Sequence, residues 1–301
     1  MTGSVNTAGI RPPDNRASTD AYTLAELCIC AAAEAWRGAG EVLATGITLI
    51  PRLAAGLARL TVNHELMMTD GECYLAAEPI PPGARGESGP VIEGWMPYAR
   101  TFDVLWGGRR HAMVVPTQVD RFGQSNLSVV GDYRKPKAAL LGVRGLPGNS
   151  VNHPNSYFIP SHTVRTFVAG EVDMVCGAGY NPARWPGGRQ PRWLDLRLIV
   201  TDLAVLDFGG PHHQIRVRHL HPGSTFEHLQ ANTAFPLASA IEPCSRSSAS
   251  QWLPPSGIDP CICVSNRFRN VCSRSSAIRL VASPIASTSS MPRTWKICIS
   301  S

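Results

Sequence analysis

The sequence predicts an α/β fold: an open, mainly parallel sheet flanked by helices. Three observations carry this. Helical and strand-like periods alternate between Ala21 and Met68, the pattern of right-handed crossovers in a parallel sheet. The stretch Leu66-Met67-Met68-Thr69-Asp70-Gly71-Glu72 passes from an apolar run to a polar pair and a glycine. That is how a buried strand leaves the carboxyl edge of such a sheet, where ligands bind. The chain has 301 residues, 44% apolar and 17% charged, which suits a sizeable core in one large or two smaller domains.

Taken in order, Ala21–Trp36 is alanine-rich, with Leu24, Leu27, Cys28, Ala31, Ala32 and Ala35 on one face of a helix that Gly38 and Gly40 stop. Glu41–Ala44 reads as a strand. Ile47–Leu60 resumes helical spacing, with Pro51 in its first turns. Leu66–Met68 is the next strand, and Glu78–Pro90 is a loop by composition. Phe102–Leu105 and Ala112–Val115 are strand-like, and Leu127–Val130 is a third apolar run. Leu140–Val143 reads as a strand feeding a glycine-rich segment. Val164–Val168, Val172–Cys176, Leu196–Val200 and Leu203–Asp207 read as further strands, and Pro182–Pro191 as a loop. Pro222–Thr233 holds a short helix that Ser224 or Thr225 caps.

Both ends differ from this body. Residues 1–21 are small, polar and proline-bearing, as expected of a disordered leader without a secretory pattern. Residues 239–301 hold 16 serines and five of the nine cysteines, with no sustained period of 3.6 or 2. That segment is expected to be either a disordered basic extension or a frame-shifted replacement of the natural C-terminus. Its Cys, Trp and Ile content favours the second. The body is then 22–238.

Seven of the 28 basic residues and two of the 22 acidic ones lie in 239–301, which leaves 21 and 20 in residues 1–238. A nearly neutral body has no electrostatic footprint for nucleic acid. No run of 18 apolar residues is present, so no membrane span is expected. Cys28, Cys30, Cys73 and Cys176 sit in apolar surroundings typical of reduced thiols, and a cytoplasmic location is expected. The tail cysteines lack C-x2-C spacing and have no histidine after His228, which argues against zinc.

Four segments could carry chemistry. Gly142-Val-Arg-Gly145-Leu-Pro-Gly148-Asn149 is neither a Walker loop nor a dinucleotide fingerprint. Its glycines would let backbone N–H groups approach an oxyanion, or would simply build a tight turn; residue types alone favour the turn. Gln118–Asn126 fits a turn between strands. His212, His213, His219 and His221 match no common zinc spacing and read as exposed turn histidines rather than metal ligands. Glu93-Gly-Trp95-Met96-Pro97 would form a substrate wall or the base of a lid. No serine lies in a nucleophile elbow.

Together these segments resemble the β subunits of class I CoA-transferases. The resemblance rests on Leu66–Gly71, Glu93–Pro97, Gln118–Asn126, Gly142–Asn149, Asn152–Pro154, Gly177–Tyr180, Val200–Gly209 and Leu220–Gly223, across residues 22–238. Glu93–Pro97 and Gly145–Pro154 bring it closest to the actinobacterial branch that opens a steroid ring in cholesterol catabolism. The resemblance implies a CoA-transferase-type fold and a homologous α subunit in an α2β2 assembly. It also implies an acyl-CoA substrate, with coenzyme A as part of the substrate and no other cofactor or metal.

In the transferases a β-subunit glutamate is the nucleophile. Here Met68-Thr69-Asp70-Gly71 is the matching string, and Thr69 takes the glutamate position. A threonine without a positioned base forms no acyl anhydride. The resemblance therefore implies hydrolysis rather than transfer. An α-chain glutamate activates water, which attacks a ring ketone β to the thioester, and a C–C bond breaks in retro-Claisen fashion. No catalytic residue is then expected on this chain. Gly145, Gly148 and Asn149 match the family's oxyanion position; Thr69, Asp70, Glu93, Trp95 and Gln118 would line the cleft. The competing expectations are a 3-oxoacid or glutaconate CoA-transferase β subunit and a non-catalytic β subunit that only shapes the α chain's site.

Overall fold

The computed structural model describes residues 22–71, 73–82, 89–140 and 142–240. The expected leader and almost all of the expected tail lie outside these residues.

Helix α1 (Leu24–Ala33) begins at Thr23, whose hydroxyl accepts the N–H of Glu26 while the Glu26 carboxylate takes the Thr23 N–H, a complete capping box. A 3-10 turn over Glu34–Trp36 follows, and the fully buried Trp36 donates its indole N–H to the carbonyl of His111 at 3.2 Å. Strand β1 (Leu43–Gly46) leads into α2 (Leu49–Thr61). Pro51 sits in its first turn, where its missing N–H costs nothing.

The central sheet has seven strands whose spatial order is their chain order: β1, β2 (Arg110–Val114), β3 (Asn155–Ile159), β4 (Leu196–Thr201), β5 (Ala204–Asp207), β6 (Arg216–Leu220) and β7 (Ala238–Ser239). The first four are parallel, β4–β5–β6 are antiparallel, and β7 returns parallel to β6. Strand β7 ends one residue past the boundary set by composition, so the body reaches at least Ser239.

Side chains of the parallel strands alternate between two cores, as a doubly covered sheet requires. Met113, Phe158, Leu198 and Val200 pack under α1 and α2. Ala112, Val114, Tyr157, Ile159 and Ile199 face the other side, with Phe167, Leu229 and Phe235. Leu229 belongs to α5 (Phe226–Ala231), which Thr225 caps as expected. Among the described residues no helix is long and apolar enough to cross a membrane.

The structure corrects several expectations. Phe102–Leu105 is not a strand but part of helix α3 (Tyr98–Trp106). Its β-forming residues hide a helical stripe: Tyr98, Phe102 and Trp106 lie one turn apart, the first pair edge-to-face and the second tilted, with 5.5 Å between successive ring centroids. Leu140–Val143 forms no strand among its described residues, because Gly142 and Arg144 both adopt positive φ. Val164–Val168 is a turn closed by the N–H groups of Thr166 and Phe167 on the Thr163 carbonyl, and Val172–Cys176 is irregular. Leu66–Met68 lies along β1 through a single parallel bridge, Leu43 to Met67, so it is an edge rather than a full strand. Strand β3 has no apolar signature at its start because its first residues, Asn155 and Ser156, are polar yet fully buried.

Candidate functional site

The carboxyl edge of the parallel strands is roofed by short ribbons, and most of the sequence-predicted residues lie on or beside them. The edge segment ends in Thr69-Asp70-Gly71, where Gly71 takes φ +95, a conformation glycine adopts without strain. The Thr69 hydroxyl accepts the Gly71 N–H at 3.3 Å. Asp70 is buried; its backbone N–H goes to the Tyr74 carbonyl at 3.0 Å and its Oδ1 accepts the Tyr74 N–H at 3.3 Å. The turn is thereby tied to the ribbon Tyr74–Ala76/Ile92–Trp95.

Glu93 lies on that ribbon. The Arg59 guanidinium of α2 donates to its Oε2 at 2.8 Å and its Oε1 at 3.3 Å, and also to the carbonyl of Leu66. One arginine thus joins helix, edge segment and ribbon. Trp95, opposite Tyr74 in register, leaves 67% of its surface exposed.

Gln118 follows the end of β2 by four residues and is buried in the ribbon Gln118–Val119/Ser125–Asn126. Its Oε1 accepts from the Asn126 amide at 2.7 Å and from the Asp173 N–H at 3.1 Å, and its Nε2 donates to Asp173 Oδ2 at 2.9 Å. Both polar atoms are therefore used within the chain. Gln118 thereby holds the ribbon's shape.

The adjoining turn is built on Asp120, whose Oδ1 accepts the N–H groups of Phe122 at 2.9 Å and Gln124 at 3.0 Å. Burial pushes this carboxyl up to about 7, against the pull of those two donors.

Gly145, Gly148 and Asn149 do not form a loop. Gly145 is the N-cap of helix α4 (Leu146–Asn152), and the Asn149 N–H already bonds the Gly145 carbonyl at 3.0 Å. Gly148 and Asn149 are helical, which corrects the loop reading. Helix α4 is joined to the Gln118 ribbon over Gly177. The Ser150 hydroxyl accepts the Ala178 N–H at 2.9 Å, and a Cβ on Gly177 would lie 2.3 Å from Ser125 Oγ and 3.4 Å from Leu146 Cδ2. Gln118 and the 145–149 turn are thus neighbours across one glycine, while Thr69, Asp70, Glu93 and Trp95 share the other ribbon.

A set of buried histidines carries no signal in the sequence. His162, just past β3, bonds the Thr201 hydroxyl at 3.2 Å and the Thr233 hydroxyl at 2.8 Å and stacks on Phe167 with centroids 3.9 Å apart. Burial holds it down to about 3. His221 is not an exposed turn residue: it is buried on the Thr201 carbonyl at 2.9 Å and held down to about 4. His212 and His213 are exposed, as expected. The Cys28 thiol, also on the Thr201 carbonyl, is pushed up to about 12 by burial first and by Asp202 second. At neutral pH these groups are uncharged packing elements, and Cys28 supplies no thiolate. Among the described residues no three His, Cys, Asp or Glu side chains stand close enough to hold a metal ion.

Comparison with known proteins bears on what this edge does. No family model matches the chain. It is 43% identical over 216 residues to the cholesterol ring-cleaving hydrolase IpdB subunit of Rhodococcus jostii RHA1, covering 72% of this chain and 83% of the relative. It is 32% identical over 225 residues to a 3-oxoadipate CoA-transferase subunit of Pseudomonas knackmussii, covering 71% and 84%. The crystal structure of Rhodococcus jostii RHA1 IpdAB superposes with a TM-score of 0.67 at 40% identity, over 74% of this chain and 90% of that one.

Proposed function

We propose a function from one premise: the chain belongs to the CoA-transferase family, in the branch of the IpdB subunits of cholesterol ring-cleaving hydrolases. It is the β subunit of an acyl-CoA hydrolase that opens the last steroid ring by hydrolytic, retro-Claisen C–C cleavage. It works with a homologous α subunit as an α2β2 heterotetramer in the cytoplasm, and its substrate carries coenzyme A as the thioester.

One observation supports this over the transferase reading. Identity is 43% to a ring-cleaving hydrolase subunit against 32% to a CoA-transferase subunit, over nearly the same span. The geometry agrees: Thr69, at the position where the transferases carry their glutamate, has its hydroxyl turned onto the Gly71 N–H. A threonine hydroxyl there is not the carboxylate that a transferase needs to form an acyl anhydride.

In this reading an α-chain glutamate activates water, which adds to the ring ketone. The C–C bond to the thioester α-carbon then breaks, and its electron pair passes to the thioester as an enolate that is protonated to product. This chain contributes the rigid carboxyl-edge wall: the Thr69–Gly71 turn, the Arg59-clamped ribbon with Glu93 and Trp95, the Gln118 ribbon, and the Gly145 turn, whose backbone dipoles face developing negative charge.

The test mixes the chain with its α partner, an acyl-CoA and a free acid acceptor. Ring-opened product without CoA exchange is expected. CoA exchange, or a thioester trapped on this chain, overturns the hydrolase reading in favour of a transferase. Full turnover after substitution of both Gly145 and Asn149 reduces that turn to scaffolding.

A further inference from the structure

Among the described residues, three basic residues fall within four positions of one exposed turn, and none of them makes a salt bridge. Residues 132–140 are exposed throughout and form the turn and outer strand of the ribbon Val129–Val130/Ala138–Ala139. The turn reads Asp132-Tyr133-Arg134-Lys135-Pro136-Lys137. Some arginines elsewhere, such as Arg59, Arg184 and Arg216, are held by carboxylates, while others, such as Arg165 and Arg189, are in no ion pair among the described residues. Arg134, Lys135 and Lys137 take part in no ion pair among the described residues.

The one acid in the turn, Asp132, is bonded to the turn's own backbone. Asp132 Oδ1 accepts the Arg134 N–H at 2.8 Å and its carbonyl accepts the Lys135 N–H at 3.0 Å, which sets the shape of the tip. At the base, the Gly131 N–H donates to Asp173 Oδ2 at 2.7 Å, the same oxygen that takes Gln118 Nε2 at 2.9 Å. A single carboxylate oxygen therefore bolts the basic turn to the carboxyl edge of the sheet. Tyr133, next to Arg134 in the same turn, is 70% exposed. The outer strand then runs toward Arg144, also exposed and held at φ 49, immediately before Gly145.

Three like charges on one rigid turn repel each other in the free protein, and that arrangement becomes favourable when a polyanion sits among them. An exposed aromatic ring in the same turn suits a nucleobase. We propose that the hairpin Gly131–Lys137 grips the phosphorylated adenosine end of the CoA thioester, with Arg134, Lys135 and Lys137 on its phosphates and Tyr133 against its adenine. This rests on the acyl-CoA reading above and adds to it the part of this chain that selects a CoA thioester over a shorter one.

The experiment uses the complex with the α partner and compares the unaltered chain with the variant R134Q/K135Q/K137Q. Adenosine 3′,5′-bisphosphate is the binding probe, titrated by calorimetry at low salt. Turnover of the acyl-CoA is set against that of the matching acyl-pantetheine, which lacks the phosphorylated nucleoside. The variant should bind the bisphosphate about tenfold more weakly and show a KM for acyl-CoA raised by a similar factor, with kcat unchanged. Acyl-pantetheine turnover should be the same for both proteins. Tyr133→Ala should weaken bisphosphate binding, and K135R/K137R should retain it.

Unchanged bisphosphate binding in the triple variant overturns the proposal. So does an equal loss with acyl-pantetheine, which would place the defect in assembly. Hairpin-dependent bisphosphate binding without ring opening by either protein keeps the clamp and removes the hydrolase reading. Ring opening with an unchanged KM does the reverse.

Discussion

A methyl group on Gly179 would lie 2.4 Å from the backbone nitrogen of Gln124 and 2.6 Å from the carbonyl of Phe122, because the 177–179 segment crosses the Asp120–Gln124 turn at backbone contact. Gly179→Ala therefore forces backbone rather than side chain to move. It should lower the unfolding free energy by about 3 kcal/mol. Gly170→Ala meets nothing within 4 Å and should stay within about 0.5 kcal/mol of the parent. Denaturant unfolding of both variants measures the contrast, and equal stabilities would show that the crossing is not tight.

Asp120 predicts a stability that depends on pH. Its carboxyl is pushed up to about 7 from 3.8, chiefly by burial. A raised acid keeps its proton in the fold while the unfolded chain releases it. Its contribution is thus full below about pH 4 and falls away as pH rises through about 7. Asp120→Asn preserves an oxygen for the Phe122 and Gln124 N–H groups and should remove this component from the pH–stability curve. A curve identical to the parent's would mean that Asp120 does not titrate in that window.

The buried histidines act with the opposite sign. His162 is held down to about 3, and His153 and His221 to about 4, all by burial first. The unfolded chain takes up these protons below about pH 6.5, so stability is complete above that value and lost as pH falls toward 4 and 3. Burial lowers His111 and His219 as well and raises Asp202 alongside Asp120, so five lowered histidines face two raised aspartates, and net stability should rise with pH between about 4 and 6.5. His221→Gln keeps a donor for the Thr201 carbonyl and should reduce proton uptake on unfolding by about one in that range. Unchanged uptake would remove His221 from the set.

Glu93 tests a structural role against a binding one. Its partner Arg59 is far less exposed than Glu93 itself, and the pair spans helix and ribbon. Glu93→Gln should cost about 1 kcal/mol or less in thermal unfolding and leave KM for the acyl-CoA unchanged. A raised KM at unchanged stability would make Glu93 a substrate contact instead.

Legibility in the sequence follows the range of the interactions. The capping box of α1 uses Thr23 and Glu26, three residues apart, and the helix is readable. The parallel half of the sheet is readable where β1, β2 and β4 are short apolar runs between breakers. Helix α3 reads as a strand because its aromatic residues also favour strands, and only its packing decides between the two periods. Strand β3 is hidden because Asn155 and Ser156 are polar. Burial is tolerated there through hydrogen bonds such as that from Asn155 Nδ2 to the His153 carbonyl at 2.6 Å.

By itself the sequence determined the fold class and the family, because composition, local period and ordered motifs are properties of neighbouring residues. The tertiary structure decided what each polar group is free to do. Gln118 is occupied by Asp173, 55 residues away, and Glu93 by Arg59, 34 residues away. The glycine-rich stretch became the cap and first turns of a helix whose Ser150 binds Ala178, 28 residues on. No period of 2 or 3.6 carries such pairings; they exist only once the sheet brings distant segments to one edge.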